Sequence, residues 1–217
     1  MIKTVFFDLD GTLTDSCPGI FTGISHALAA FGITLAPREV TREVIGPPLF
    51  DCFHRIYGLP EEDARRAVAV YREYYGREGL FKNDVYDGVY PMLSALKAAG
   101  YTLMMATGKP HEYARRIAAH FGFDATLCAV YGAEFDGTRG DKAELLRYAM
   151  EQEGLRPEEC IMIGDRRYDI KGALEVGIAP IGVLWGYGDH DELANAGCTR
   201  FAATPADVVA IIKDMAK

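Results

Sequence analysis

The first residues with chemical potential are Asp8 and Asp10, two apart at the end of the apolar run Val5-Phe6-Phe7 and just before Gly11. A run of β-branched and aromatic residues reads as a buried strand, so these acids arrive at its carboxyl end, where α/β sheets keep their ligand crevice. In an extended segment they project to the same side. Three later stretches repeat the arrangement: Thr107 follows the apolar run 101–106, Asp165 follows 160–163 with Asp169 four residues on, and Lys142 stands near the start of a helical segment. Up to four carboxylates gathered in one place repel one another unless a cation relieves them, and an all-oxygen donor set suits magnesium. The chemistry available to such parts is phosphoryl transfer. One carboxylate attacks phosphorus to give an aspartyl-phosphate; a second, two residues away, protonates the leaving oxygen and then activates the water that cleaves the intermediate. The cation, Lys142 as a mobile positive charge, Thr107 and backbone N–H groups near Leu9 and Gly108 hold the equatorial oxygens.

Each residue also has a plainer reading. Asp10-Gly11 is a common turn signal, Thr107 fits a helix cap, and Lys142 fits a solvated helix face, with Lys109 a rival for its role. Asp169 fits a residue that caps its own helix or holds Arg166 or Lys142 in place. The conjunction favours chemistry, because matched polar groups after several strand ends are an improbable accident.

Positioning these groups requires a parallel sheet. After Thr14-Asp15-Ser16-Cys17-Pro18, the spacing of Ile20, Ile24, Leu28 and Phe31 predicts a first helix that ends at Gly32. Residues 37–80 continue in helical style, broken at Gly46-Pro47-Pro48 and Gly58-Leu59-Pro60, and end in a helix carrying Tyr71, Tyr74 and Tyr75, read as packing residues. From Tyr86 onward helices and strands alternate, the pattern of a parallel sheet with crossover helices. Strands are expected at 101–106, 127–131, 160–163 and, as the last, 179–184. The expected architecture is therefore α/β, a Rossmann-like parallel sheet core of residues 1–14 and 84–217 with a helical block, 15–83, inserted as a second, smaller domain.

Acidic residues outnumber basic ones by 31 to 23 in the 217 residues, a net charge of −8. That balance opposes binding to polymeric nucleic acid or to an anionic membrane, while a local basic pocket remains compatible with one phosphate group. The cysteines, Cys17, Cys52, Cys128, Cys160 and Cys198, are odd in number and lack C-x-x-C spacing, which reads as reduced, mostly packing residues in a cytoplasmic protein. No export leader or membrane segment is expected, and either a monomer or a homodimer is compatible with the chain.

Over nearly its full length the chain resembles the haloacid dehalogenase-like superfamily of phosphatases. Asp8-Leu9-Asp10-Gly11-Thr12-Leu13 is similar to the first family motif, Ala106-Thr107-Gly108-Lys109-Pro110 to the second, Lys142 to the third, and Gly164-Asp165-Arg166-Arg167-Tyr168-Asp169 to the fourth. The resemblance implies Asp8 as nucleophile and Asp10 as general acid and base. It implies magnesium held by Asp8, the Asp10 carbonyl and Asp165, with Asp169 at or just behind the metal shell. The helical insertion resembles the family's cap, which closes over the phosphate site. Segments Gly132 to Arg139 and Gly182 to Gly188 resemble the phosphoglycolate phosphatase-like branch, whose members are also described as 5′-nucleotidases. Gly108 departs from a serine frequent there and removes a hydroxyl donor, while its N–H remains. A carboxylate at Asp10 argues against dehalogenase chemistry, which has no oxygen leaving group to protonate.

The expected activity is a magnesium-dependent phosphatase acting on a small phosphorylated metabolite, with a 5′-nucleotidase as the alternative. A phosphosugar mutase, passing the same phosphoryl group to a second hydroxyl, is the next rival, and a scaffold on a degenerate phosphatase fold the non-enzymatic one. Within the insertion, the Gly-Pro-Pro break makes 42–50 the expected specificity loop. Arg42 is the candidate partner for a substrate carboxylate or second phosphate and Phe50 for stacking on a base, against a solvated arginine and a packed ring as equally weighted readings. Lys109 joins Leu9 and Gly108 as an expected substrate contact.

Overall fold

Four buried residues, Thr4 to Phe7, form β1, and all four point into apolar surroundings because both faces of the sheet are covered. The structure, a computed structural model, describes residues 1–40 and 42–215. Beyond β1 come β2 (Thr14–Asp15), α1 (Cys17–Ala29), α2 (Leu49–Asp51), α3 (Glu61–Tyr74), β3 (Asp84–Val85) and α4 (Val89–Ala98). The alternating part follows as β4 (Thr102–Pro110), α5 (His111–His120), β5 (Ala129–Ala133), α6 (Lys142–Glu153), β6 (Cys160–Gly164), α7 (Arg167–Glu175) and β7 (Ala179–Val183). The chain then continues through α8 (His190–Asn195), β8 (Phe201–Ala202) and α9 (Pro205–Met215).

Six strands form one sheet in the order β5-β4-β1-β6-β7-β8, and every pairing in it is parallel. β1 therefore lies inside the sheet, flanked by β4 and β6. The registers match closely: Phe7 stands opposite Met105 on one side and Ile163 on the other. Phe6, Met104 and Met162 face α6 and α7 in a core with Leu145, Leu146, Ala149 and Ala173. Their neighbours Val5, Leu103 and Ile161 alternate to the opposite face and are equally buried. Helix ends follow local chemistry, as at α6, where Asp141 accepts the Glu144 N–H at 3.0 Å and Gly154 closes the last turn in a left-handed conformation.

The expected strands at 101–106 and 127–131 shift to Thr102–Pro110 and Ala129–Ala133, since β4 keeps pairing with β5 across a register irregularity between Thr107 and Pro110. The strand at 179–184 is not the last. β8 follows it, and its two residues are too few to show a periodic pattern.

By its internal contacts the chain divides into Met1–Thr14 with Val85–Lys217, and Asp15–Asp84, the boundaries falling within β2 and β3, which pair as a separate two-stranded sheet. In the second unit α1 packs on α3 and on the π-helical turn Tyr75–Gly79. Tyr71 and Tyr75 are buried there with rings stacked at 5.2 Å, as packing residues, while Tyr74 is half-buried and stacks on His26 at 4.2 Å. Gly19 sits so close to this turn that a Cβ would lie 2.2 Å from the Gly79 carbonyl oxygen. Gly19→Ala should gain about 1 kcal/mol in helix propensity but lose about 1–3 kcal/mol to the forced backbone shift. A lower melting temperature in calorimetry is the expected result, and an increase would show that the turn yields freely.

Candidate active site

The matched registers of β4, β1 and β6 bring their carboxyl ends level, and Asp8 continues the ladder by donating its N–H to the Ile163 carbonyl at 2.9 Å. The chain then folds back sharply: the Leu9 carbonyl accepts the N–H groups of Thr12, Leu13 and Thr14, while the Gly11 N–H reaches the Thr14 carbonyl. Gly11 has φ 86°, and a Cβ there would lie 2.2 Å from Asp165 Oδ2, so both conformation and space demand glycine.

Asp8, Asp165 and Asp169 come together, each offering an oxygen within 4.8 Å of the others, and all three are buried. Asp169 lies in the first turn of α7, where its Oδ2 accepts the Arg166 N–H at 3.1 Å. It therefore caps its helix and faces the cluster at once. Asp165 is completely buried; its Oδ1 accepts the Thr12 hydroxyl at 3.2 Å and its Oδ2 the Tyr187 N–H at 2.7 Å.

Lys142, the first residue of α6, is the cation among them. Its Nζ donates to Asp8 Oδ1 at 2.8 Å and to the Ala106 carbonyl at 2.7 Å, and lies 2.7 Å from Asp169 Oδ1. This corrects the expectation of a mobile charge, because burial and three oxygen partners fix the ammonium in place. Burial works against its charge, but Asp169 and Asp8 outweigh that effect and hold Lys142 protonated above its ordinary range.

Asp10 is not one of these three clustered acids, although it is close enough to Asp8 to help raise that carboxyl. It lies past the end of β1, in an isolated bridge with Thr14. Asp10 Oδ1 instead meets Lys109 Nζ at 3.0 Å, both side chains being largely buried. Lys109 thus pairs with Asp10, while Lys142 pairs with Asp8 and Asp169. Thr107 is buried beside the irregularity in β4, where its Oγ1 accepts the Lys109 N–H at 3.2 Å. Gly108 is exposed with open space where a Cβ would stand, so its lack of a side chain answers no steric demand. In the inserted unit, Phe50 stacks on His54 at 5.4 Å with the Arg65 guanidinium 5.0 Å from its ring centre. Arg42 opens a short 3-10 turn, and its side chain lies outside the described residues.

One ammonium against three buried carboxylates leaves excess negative charge. Burial, opposed by Lys142 and aided by Asp169 and Asp10, pushes the Asp8 carboxyl up to about 7, and burial with Asp169 and Asp8 pushes Asp165 well above its ordinary value. A hard divalent cation relieves that repulsion, and the all-oxygen donors of Asp8, Asp165 and Asp169 fit magnesium. Sequence reasoning passed over Thr12 and the loop after β7 as supports of Asp165. Trp185 Nε1–H donates to the Thr12 carbonyl at 3.0 Å, and the Trp-Gly-Tyr-Gly spacing was the available signal.

Comparison with known proteins agrees with this geometry. The haloacid dehalogenase-like hydrolase family model matches residues 2–177, and a second HAD-hydrolase-like model matches 141–215. A 5′-nucleotidase of Pseudomonas aeruginosa is 47% identical over 92% of this chain and 90% of its own. The tyrosine-protein kinase PtkA of Mycobacterium tuberculosis is 40% identical over 91% of this chain and 67% of its own. The crystal structure of a predicted phosphatase from Clostridium acetobutylicum superposes with a TM-score of 0.94, at 38% identity and covering 99% of both chains. The chain belongs to the haloacid dehalogenase-like hydrolase family. No helix among the described residues is long and apolar enough to cross a membrane.

The charge balance makes a linked prediction. Asp8 takes up its proton more readily folded than unfolded, so in chelator its contribution to stability is greatest at low pH and is lost as pH rises from 3.8 to about 7. Denaturant titrations of metal-free protein should show this decline, and Asp8→Asn should flatten it. At pH 8, Asp165→Asn should raise the melting temperature of the metal-free protein, and magnesium should stabilise the wild type but not this variant.

Proposed function

We propose that this member of the haloacid dehalogenase-like hydrolase family is a magnesium-dependent phosphatase of small phosphorylated metabolites, working through an aspartyl-phosphate. The observation that carries the reading is the buried Asp8, Asp165 and Asp169 cluster with Lys142 bonded to Asp8 at the sheet edge. In this reading an Asp8 carboxylate oxygen bonds to phosphorus while the ester oxygen departs with a proton from Asp10. Water then attacks phosphorus, Asp10 takes up its proton, and the Asp8–phosphorus bond breaks to release phosphate. Asp8, Asp165 and Asp169 with the Asp10 carbonyl would hold magnesium, which would supply charge neutralisation at the phosphoryl oxygens. Lys142 holds Asp8 in place, and Thr107 with the N–H groups of Leu9 and Gly108 receives the equatorial oxygens. Lys109 meets the incoming phosphate and releases Asp10 for proton transfer.

The substrate reading has two arms. The sequence motifs at Gly132 to Arg139 and Gly182 to Gly188 support a phosphoglycolate phosphatase-like enzyme, and the 47% identity to a 5′-nucleotidase supports nucleoside 5′-monophosphates. Arg42 and Phe50 are the proposed residues of choice between them. The similarity to a tyrosine-protein kinase raises a hydroxyl as an acceptor in place of water.

The test is phosphate release from phosphoglycolate, sugar phosphates and nucleoside 5′-monophosphates, with magnesium or chelator. Release should require magnesium, and Asp8→Asn should lower kcat at least about 1,000-fold while leaving the protein folded. If the label of a phosphorylated donor moved to a hydroxyl with no free phosphate, the hydrolase reading would be replaced by group transfer.

A further inference from the structure

We propose that Glu192, on α8, is a positioning residue for the metal carboxylates, because it anchors the start of α7 and holds the Arg166 charge beside them in balance. The inference rests on the magnesium reading above and extends it to a residue outside the motifs. Glu192 Oε1 accepts Arg166 Nε–H at 2.8 Å and the Arg167 backbone N–H at 2.9 Å. The Arg166 backbone N–H goes to Asp169 Oδ2 at 3.1 Å. The two N–H groups entering α7 are thus each received by a carboxylate, one from the metal cluster and one from α8. These groups have no partner within their own helix, so side chains that accept them set the direction in which the helix begins.

Glu192 is itself held in place. Its backbone N–H donates to Asp189 Oδ1 at 2.7 Å, the cap of α8, and the next residue, Leu193, is buried in a cluster with Ile170 of α7. The electrostatic part follows from sequence position and burial. Arg166 immediately follows Asp165, its side chain is 8% exposed, and that of Glu192 is 20% exposed, so their pair is only weakly screened by solvent. With Glu192 ionised, the guanidinium is drawn to α8. With Glu192 neutral, its positive charge acts more fully on Asp165 and opposes a divalent cation. Glutamine at this position retains a carbonyl oxygen for both donors, so it separates charge from shape.

The test is a magnesium titration of the full chain by calorimetry for the wild type, E192Q, R166Q and the double variant, with melting temperatures in chelator. E192Q should weaken magnesium binding about tenfold with little change in the metal-free melting temperature, as outer partners of metal ligands do. R166Q in the E192Q background should restore the affinity. Unchanged affinity in E192Q, or a loss that R166Q does not restore, would overturn the role. Should E192Q not fold, R166Q alone decides: it should bind magnesium at least as tightly as the wild type, and weaker binding would count against the inference. A wild type that binds no magnesium would overturn the metal reading itself, and this role with it.

Discussion

Crowding of like charge governs this molecule. Three carboxylates are held within 4.8 Å of one another at the edge of a sheet whose interior is almost wholly apolar. Left to themselves they would take up protons or drive the strand ends apart. The fold tolerates them because each is tied to a separate rigid element: Asp8 to β1, Asp165 to the end of β6, and Asp169 to the first turn of α7. Lys142 then bonds across two of them from α6. The same crowding that burial makes costly brings three carboxylate oxygens together in a geometry that fits a small hard cation.

The supports show how precision is obtained from a flexible polymer. Backbone groups bear much of the load: the Ala106 carbonyl fixes Lys142, the Tyr187 N–H fixes Asp165, and the Ile163 carbonyl fixes Asp8. Such groups move only with their strands and loops. A sheet buried on both faces moves little, so geometry set by register is transmitted to the site without loss. The second carboxylate of the motif is treated differently. Asp10 lies past the end of β1 in a tight turn, paired with Lys109.

What was legible in the sequence was whatever depends on local pattern. The run Val5-Phe6-Phe7 before Asp8, and the run 160–163 before Asp165, are unbroken apolar stretches because both faces of the strands are covered, and this identified a parallel sheet and its acid-bearing ends. Where pattern is short, it said little: β8 has two residues and Phe201 alone is no signal. The boundaries of β4 shifted because its pairing with β5 resumes at Pro110, a long-range matter that a window of residues does not contain.

The sequence by itself determined the α/β class, the identity of the acids and the places where they meet strand ends, since these follow from side-chain periodicity and the chemistry of single residues. Tertiary structure alone decided which acids share a site and which cation serves which acid. Lys142 and Lys109 are indistinguishable as residue types, yet one is bound to Asp8 and Asp169 and the other to Asp10. The reason is physical: electrostatic partnership depends on distances of a few ångströms between residues as far apart in sequence as Asp8 and Lys142, 134 positions, and those distances are set by the register of β1 with β4 and β6 together with the packing of α6 and α7 on the sheet.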